Sequence, residues 1–151
     1  MRITSKSVPP RLRSLTRRAV KFFVEKIPKE KDFSFDLVHV EFVRSADNHM
    51  EAWCEPFSYG GLPTEFDISL NSQLLPEEIE EQEYTKILFH ELTHAWQYAT
   101  GTLVSKWEDR VVFRKKKHYL NEEYFLLPWE VEAFGYEHCM NAMFWDAQEP
   151  R

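Results

Sequence analysis

A long helical pattern covers residues 76–101, which read PEEIEEQEYTKILFHELTHAWQYATG. Pro76 is followed by glutamates that form an acidic first turn, which suits the positive end of a helix dipole. Gly101 is well placed to end the helix. Apolar residues recur between these ends at helical spacing: Ile79, Ile87, Leu88, Leu92, Ala95, Trp96 and Ala99. The stretch therefore predicts one long helix with an apolar stripe toward the core.

The later half of this predicted helix carries His90, Glu91 and His94. Residues four apart project from one helical face, so the two imidazoles can bind one metal ion. A catalytic zinc takes three protein ligands and keeps a position for water, which Glu91 is close enough to reach as a general base. This HExxH pattern therefore predicts a catalytic Zn²⁺ site with one ligand still to be found.

Glu130 and Glu132 are the candidates for the third ligand. Both stand in an apolar helical pattern that opens at Pro128, where an unpaired carboxylate would be costly. Positions two apart on a helix point about 200° apart around its axis, so the two carboxylates cannot both face the metal. The spacing leaves open which of them does.

Together, HELTH at residues 90–94 and PWEVEAF at residues 128–134 resemble the gluzincins, metallopeptidases in which a downstream Glu in an ExxA context completes a helical HExxH site. The resemblance covers residues 64–140 in layout, with specific matches at the two motifs. Phe134 departs from the pattern, since many members carry Asp or Asn there. The resemblance implies Glu130 as the third ligand, a minimal zincin-like fold and zinc-dependent hydrolysis of peptide bonds. The segment HAWQ at 94–97 is also similar to small HExxHxxQ zincins of phage and bacterial origin.

Two alternative hypotheses use other residues. A histidine-completed site, similar to that of SprT-like DNA-associated proteases, would take His118 or His138 as its third ligand. A non-catalytic binding module would contain a structural zinc and would act through a basic N-terminal helix. Glu91 argues against this module, because a structural zinc closes all four positions and needs no neighbouring base.

Outside the motifs, the sequence predicts helices and strands in one α+β domain over residues 1–151. Apolar spacing predicts an amphipathic helix over residues 11–27. β-Branched residues and alternation predict strands over 33–43 and 50–57, joined as a hairpin. Residues 65–71 alternate strictly between apolar and polar, which predicts a half-exposed strand at a sheet edge.

The expected architecture is a small mixed or antiparallel sheet packed on the N-terminal helix, the HExxH helix and the C-terminal ligand helix. Residues 104–127 have an ambiguous pattern, and the run of Arg and Lys at 114–117 is interpreted as solvated surface.

The net charge of −6 hides an asymmetry along the chain. Residues 1–31 hold ten Lys or Arg against two Glu, whereas residues 32–151 hold nine against 23 acidic residues. The basic segment could contact nucleic-acid phosphates or pack against its own acidic body; the residues concerned are Arg11, Arg13, Arg17, Arg18 and Lys21. Neither a membrane-spanning stretch nor a signal peptide is evident, so a cytoplasmic protein without membrane contact is expected.

The predicted chemistry needs two further parts, an oxyanion donor and a substrate wall. Tyr119, Tyr124 and Tyr136 lie near the ligand segment and can each donate a hydrogen bond to a developing oxyanion. The expected edge strand at 65–71 could hold an extended chain by main-chain pairing, which predicts a peptide or protein substrate.

Overall fold

The computed structural model describes residues 1–29, 32–46, 49–107, 110–119 and 123–149. Within these ranges it confirms the predicted α+β fold, but it contains two small sheets where the sequence predicted one. The helices are α1 (Pro10–Lys26), α2 (Glu81–Ala99) and α3 (Pro128–Gln148). The strands are β1 (Arg2–Thr4), β2 (Leu37–Val43), β3 (Ala52–Phe57), β4 (Glu65–Asn71), β5 (Leu103–Trp107), β6 (Arg110–Phe113) and β7 (Lys116–Tyr119). A single 3₁₀ turn, Tyr124–Leu126, precedes α3.

The larger sheet has the strand order β1-β2-β4-β3. β2 runs parallel to β1 and to β4, whereas β3 runs antiparallel to β4. The predicted hairpin of β2 and β3 is therefore wrong, because β4 lies between them. The predicted edge position of residues 65–71 is also wrong: β4 is hydrogen-bonded on both sides, and β3 forms the edge. Pro56 fits an edge strand, since it has no N–H to donate to a ladder.

The core lies between one face of this sheet and the helices. Alternate residues of β2 and β4 are fully buried there, because successive side chains of a strand point to opposite faces. They are Val38, Val40, Phe66, Ile68 and Leu70. α1 contributes Phe23 and α2 contributes Phe89, whose ring centroids are 6.4 Å apart. This packing joins α1, α2 and the sheet in one core.

α2 begins later than its sequence suggested and ends where expected. Residues 76–80 form a turn in which Ile79 N–H donates to the Pro76 carbonyl at 3.1 Å, and Glu80 has an extended backbone. The helix starts at Glu81, so the start predicted at Pro76 is wrong by one turn. Gly101 follows the helix with φ +72°, a left-handed conformation that glycine adopts without a steric penalty.

The ambiguous residues 104–127 contain most of the smaller sheet, in which β5, β6 and β7 pair in antiparallel order. A second apolar cluster joins this sheet to the start of α3. It contains Leu103, Val111, Phe113, Leu127 and Trp129. α3 begins at Pro128 as predicted. The smaller sheet thereby fixes the N-terminal turn of α3 close to α2.

In the described part of the chain, no helix combines the length and the apolar character that crossing a membrane requires.

Candidate metal centre

Three side chains from two helices converge at one point. His90 and His94 project from the same face of α2, and Glu130 reaches them from the first turn of α3. The two Nε2 atoms are 3.2 Å apart. Glu130 Oε1 lies 3.0 Å from His90 Nε2, and Glu130 Oε2 lies 3.1 Å from His94 Nε2. The side chains of all three residues are at most 12% exposed.

This donor set fits a small divalent metal ion. A tetrahedral ion with bonds of about 2.0–2.1 Å holds its ligand atoms about 3.3–3.4 Å apart, close to the distances between these nitrogen and oxygen atoms. His90, His94 and Glu130 form the candidate metal-binding group among the described residues. The group could hold a metal ion, and two imidazoles with one carboxylate leave a coordination position for a non-protein ligand.

The remaining ring nitrogen of His90 is held by a second carboxylate from α3. His90 Nδ1 lies 2.8 Å from Glu137 Oε2, and both residues are buried. Because a carboxylate accepts hydrogen bonds, Nδ1 carries the proton in the neutral ring and Nε2 offers its lone pair. An acceptor behind a metal-ligating histidine fixes its tautomer and ring orientation.

His94 is oriented in the same way by a glutamine of its own helix. His94 Nδ1 lies 2.8 Å from Gln97 Oε1. The Gln97 amide nitrogen donates to the Trp129 carbonyl at 3.0 Å and to Glu132 Oε1 at 3.1 Å. These two acceptors fix which end of the amide faces His94. His94 Nδ1 is therefore the donor, and its Nε2 offers a lone pair beside that of His90.

The mutual contacts of the cluster shift its pKa values. Burial opposes protonation of His90, but its hydrogen bonds to Glu130 and Glu137 outweigh burial and raise its pKa to about 10. Burial also opposes protonation of His94, but the hydrogen bond to Glu130 and the charges of Glu91 and Glu130 together raise its pKa. Burial alone would raise the pKa of Glu130, yet the hydrogen bonds from His90 and His94 lower it to about 2. Without metal, these contacts favour the protonated form of His90 and the ionised form of Glu130.

Glu91 lies beside this cluster without belonging to the ligand set. Glu91 is 6% exposed, and it lines two cavities that open at the site and are described below. Burial raises its pKa, although the neighbouring His94 and His90 act in the opposite direction. A buried carboxyl with a raised pKa has the character of a general base that works near neutral pH.

Of the residues considered as a third ligand, only Glu130 faces the two histidines. Glu130 faces the histidines, whereas Glu132 turns toward Gln97 and Arg114, as expected for positions two apart on a helix. His118 packs on the Trp129 ring at 5.5 Å, and His138 is exposed on α3. Neither belongs to the candidate metal-binding group.

The candidate oxyanion donors Tyr124 and Tyr136 lie in different places relative to the site. Tyr124 donates a hydrogen bond from its hydroxyl to Glu130 Oε1 at 2.9 Å and so reaches the centre. Tyr136 packs its ring against Trp96 at 5.5 Å on the core side. The Tyr119 side chain lies outside the described part of the structure. A fourth tyrosine, Tyr98, lines the smaller cavity, and its burial raises its pKa to about 12.

An open cleft of about 880 Å³ extends from His90 and Glu91 along the N-terminal half of α2. Its apolar walls come from the segment before β3, the turn after β4, the 3₁₀ turn before α3, and the helices α2 and α3. They are Met50, Leu74, Ile87, Phe125 and Phe134. A smaller cavity of about 160 Å³ lies on the other side of Glu91, between β3 and the start of α3. The candidate metal-binding group therefore lies at the junction of two cavities along the edge strand β3.

Sequence reasoning missed Glu137 and gave Gln97 no role in the site, although spacing held a signal for both. Glu137 is seven residues after Glu130, so both carboxylates lie on one face of α3. Gln97 is three residues after His94, which makes it a neighbour on the surface of α2.

Comparison with known proteins finds no match for this chain among family models, curated proteins or solved structures.

Proposed function

We propose that the protein is a zinc-dependent metallopeptidase. The observation that carries the proposal is the combination of three buried donors, His90, His94 and Glu130, with the separate buried carboxyl of Glu91. Three ligands, an open coordination position and a neighbouring base are the parts of a hydrolytic zinc site. A structural zinc site would need a fourth protein ligand and no base.

The residues of the site divide the reaction between them. When bound, zinc acidifies water and polarises the scissile carbonyl as a Lewis acid. Glu91 takes a proton from the water that attacks the carbonyl carbon. Tyr124, whose hydroxyl lies 2.9 Å from Glu130 Oε1, would donate a hydrogen bond to the carbonyl oxygen as negative charge develops there. When the C–N bond breaks, Glu91 returns the proton to the leaving amine nitrogen.

The edge strand supports an extended peptide as the substrate. β3 replaces β4 as the expected wall, since β3 lines the smaller cavity together with Glu91 and His94. Main-chain groups on its outer edge can pair with a substrate backbone up to Pro56, where the N–H donor is missing. The apolar cleft beside His90 favours a bulky apolar side chain next to the scissile bond.

Metal content and hydrolysis test the proposal separately. Purified protein should contain about one zinc, and His90→Ala or His94→Ala should lose it. Glu130→Ala should deplete zinc more than Glu132→Ala. Glu91→Gln should keep the zinc and lose hydrolysis of a mixed peptide library followed by mass spectrometry. Full zinc in both histidine variants would rule out this site, and an active Glu91→Gln protein would rule out the mechanism.

Cleavage positions in the same library test the substrate preference. Phe125 is 70% exposed, so Phe125→Ala should leave the fold and the zinc content intact. This variant should weaken the preference for a bulky apolar residue beside the cleaved bond. Met143→Ala is a control, because Met143 is also exposed but lies near the other end of α3. An unchanged preference in Phe125→Ala would contradict the assignment of this cleft.

The contacts of α1 favour a structural role for part of its basic face. Arg11 donates to the Ile79 carbonyl at 2.8 Å, Arg13 donates to the Val8 carbonyl at 2.9 Å, and Arg18 donates to Gln148 at 2.6 Å. Nucleic-acid binding by this helix stays a prediction, and salt-sensitive retention on immobilised DNA would support it.

A further inference from the structure

The hairpin turn between β6 and β7 has two uncommon residues for its backbone conformation. Arg114 and Lys115 connect the two strands, and their φ angles are +48° and +69°. A two-residue hairpin loop with two left-handed residues normally carries Asn-Gly or a similar pair, because a β-carbon is disfavoured at positive φ. Two long basic residues at this turn therefore need a compensating interaction.

Arg114 supplies such an interaction through its side chain. Its Nη2 atom donates to Glu132 Oε2 at 2.6 Å, a charge-assisted hydrogen bond to a carboxylate whose side chain is 17% exposed. Its backbone N–H donates to the Thr102 carbonyl at 2.7 Å. Residues 114–117 are all exposed, as the sequence predicted, and the Arg114 guanidinium reaches across from this surface to α3.

The acceptor of this bond belongs to the network that orients His94. Glu132 presents Oε2 to Arg114 and Oε1 to the Gln97 amide nitrogen, so the two oxygens of one carboxylate serve both partners. Gln97 is fully buried, and its Oε1 accepts from His94 Nδ1. A continuous chain of hydrogen bonds thus runs from the β6–β7 turn to a donor of the metal centre.

A second set of hydrogen bonds connects the β6–β7 turn with Gln97. Thr102 accepts from the Arg114 N–H through its carbonyl, and its hydroxyl donates to the Gln97 carbonyl at 3.1 Å. The turn is therefore tied to both the main chain and, through Glu132, the side chain of Gln97. Moving Arg114 would release Glu132 and leave the buried Gln97 amide with the Trp129 carbonyl as its remaining acceptor in this network.

We propose that Arg114 is a positioning residue of the metal centre, which acts through Glu132 and Gln97 on the orientation of His94. The left-handed conformation of the turn aims its guanidinium at Glu132. This inference rests on the proposed zinc site, and it assigns a role to a residue on a different sheet that touches none of the proposed ligands.

Glycine at position 114 separates this role from ordinary turn stability. Arg114→Gly removes the guanidinium but relieves the steric penalty at positive φ, so the melting temperature should stay equal or rise while zinc affinity falls. Removing an outer partner of a metal ligand costs about 10- to 100-fold in affinity, so one step further out we expect roughly a 3- to 10-fold loss. Lys115→Gly removes the same steric penalty at the neighbouring position and leaves the hydrogen bonds from Arg114 to His94 intact. The zinc affinity of this variant should therefore stay unchanged.

Two more variants complete the test. Arg114→Lys should recover part of the affinity, because an ammonium group can still reach Glu132. In a Glu132→Gln background, Arg114→Gly should cause no further loss, since its acceptor is already altered. Affinities come from competition with a chromophoric chelator, and the visible spectrum of the Co²⁺-loaded proteins reports the ligand geometry.

The outcomes distinguish this inference from the proposed function. Equal zinc affinity and equal Co²⁺ spectra in wild type, Arg114→Gly and Lys115→Gly would overturn the role of Arg114 and leave the zinc site standing. A wild-type protein that takes up no zinc would overturn both. Weaker binding in Arg114→Gly alone, with an undiminished melting temperature, would establish the role.

Discussion

The Nδ1 atom of His90 lies 2.8 Å from an oxygen of Glu137, a residue two turns beyond Glu130 on α3. One helix face thus supplies both the carboxylate of the candidate metal-binding group, Glu130, and the carboxylate behind one of its histidines, Glu137. Because the two are seven residues apart, a rigid α3 holds the two oxygens on opposite sides of the His90 ring. The imidazole is clamped between them.

Weakening the hydrogen bond between Glu137 and His90 should weaken metal binding. Glu137→Gln keeps the shape and an acceptor oxygen but removes the charge, so we expect zinc affinity to fall about tenfold or more. A competition titration with a chromophoric chelator measures the change. Glu83→Gln is the matched control, because Glu83 lines the same cleft as Glu137 and has no bond to a proposed ligand. Equal affinities in the two variants would show that Glu137 does not act on His90.

The hydroxyl of Tyr124 should matter for turnover more than for metal binding. Tyr124→Phe removes the donor 2.9 Å from Glu130 Oε1, and loss of one oxyanion donor lowers kcat by roughly 100-fold or more. Zinc content should stay close to that of the wild type, since the three ligands are untouched. Steady-state hydrolysis of a cleaved library peptide checks this expectation.

Tyr98→Phe is the informative comparison for Tyr124. Tyr98 lies four residues after His94 on α2 and borders the smaller cavity. A larger loss of kcat in Tyr98→Phe than in Tyr124→Phe would transfer the role of oxyanion donor to Tyr98.

The helices and the residues of the candidate metal-binding group could be predicted from the sequence because both depend on local spacing. A four-residue interval places His90 and His94 on one face of any helix, and the embedded carboxylates of α3 reduce the third ligand to Glu130 or Glu132. Pro128 marks the start of α3 for the same local reason. These conclusions do not require knowledge of which strands pair.

Strand order could not be obtained in this way. The alternation of β4 shows one buried and one more polar face, and a central strand of a sheet covered on one side has the same pattern as an edge strand. The turn residues between β2 and β3 show where the chain bends, but they do not choose a pairing partner. The hydrogen bond between Arg114 and Glu132 could not be predicted from the sequence either, because it depends on how the smaller sheet packs against α3.

The metal-free protein should lose stability in alkaline solution. The pKa of His90 is raised from 6.5 to about 10, so the folded state holds a proton that the unfolded chain releases. This stabilisation is fully present below pH 6.5 and is lost as the pH rises toward 10. The pKa of Glu130 is lowered from 4.5 to about 2, so its contribution is present above pH 4.5 and is lost as the pH falls toward 2.

Thermal melts of chelator-treated protein across these ranges measure the effect. The melting temperature should fall between pH 6.5 and 10, and His90→Gln should flatten this fall. Zinc affinity should rise over the same interval, because binding displaces protons from the histidines. A melting temperature that stays level or increases toward pH 10 would contradict the proton held in the folded cluster.

Alanine at two glycines should change the stability in opposite directions. At Gly101, φ is +72° and an added β-carbon would lie 3.0 Å from Leu62 Cδ2, so Gly101→Ala should lower the free energy of unfolding by about 1–2 kcal/mol. Gly135 lies inside α3, where an added β-carbon meets no atom within 4 Å. Gly135→Ala should therefore raise the free energy of unfolding by about 0.5–1 kcal/mol through helix propensity. Urea denaturation of the metal-free proteins measures both changes, and losses of equal size in the two variants would contradict a left-handed end of α2.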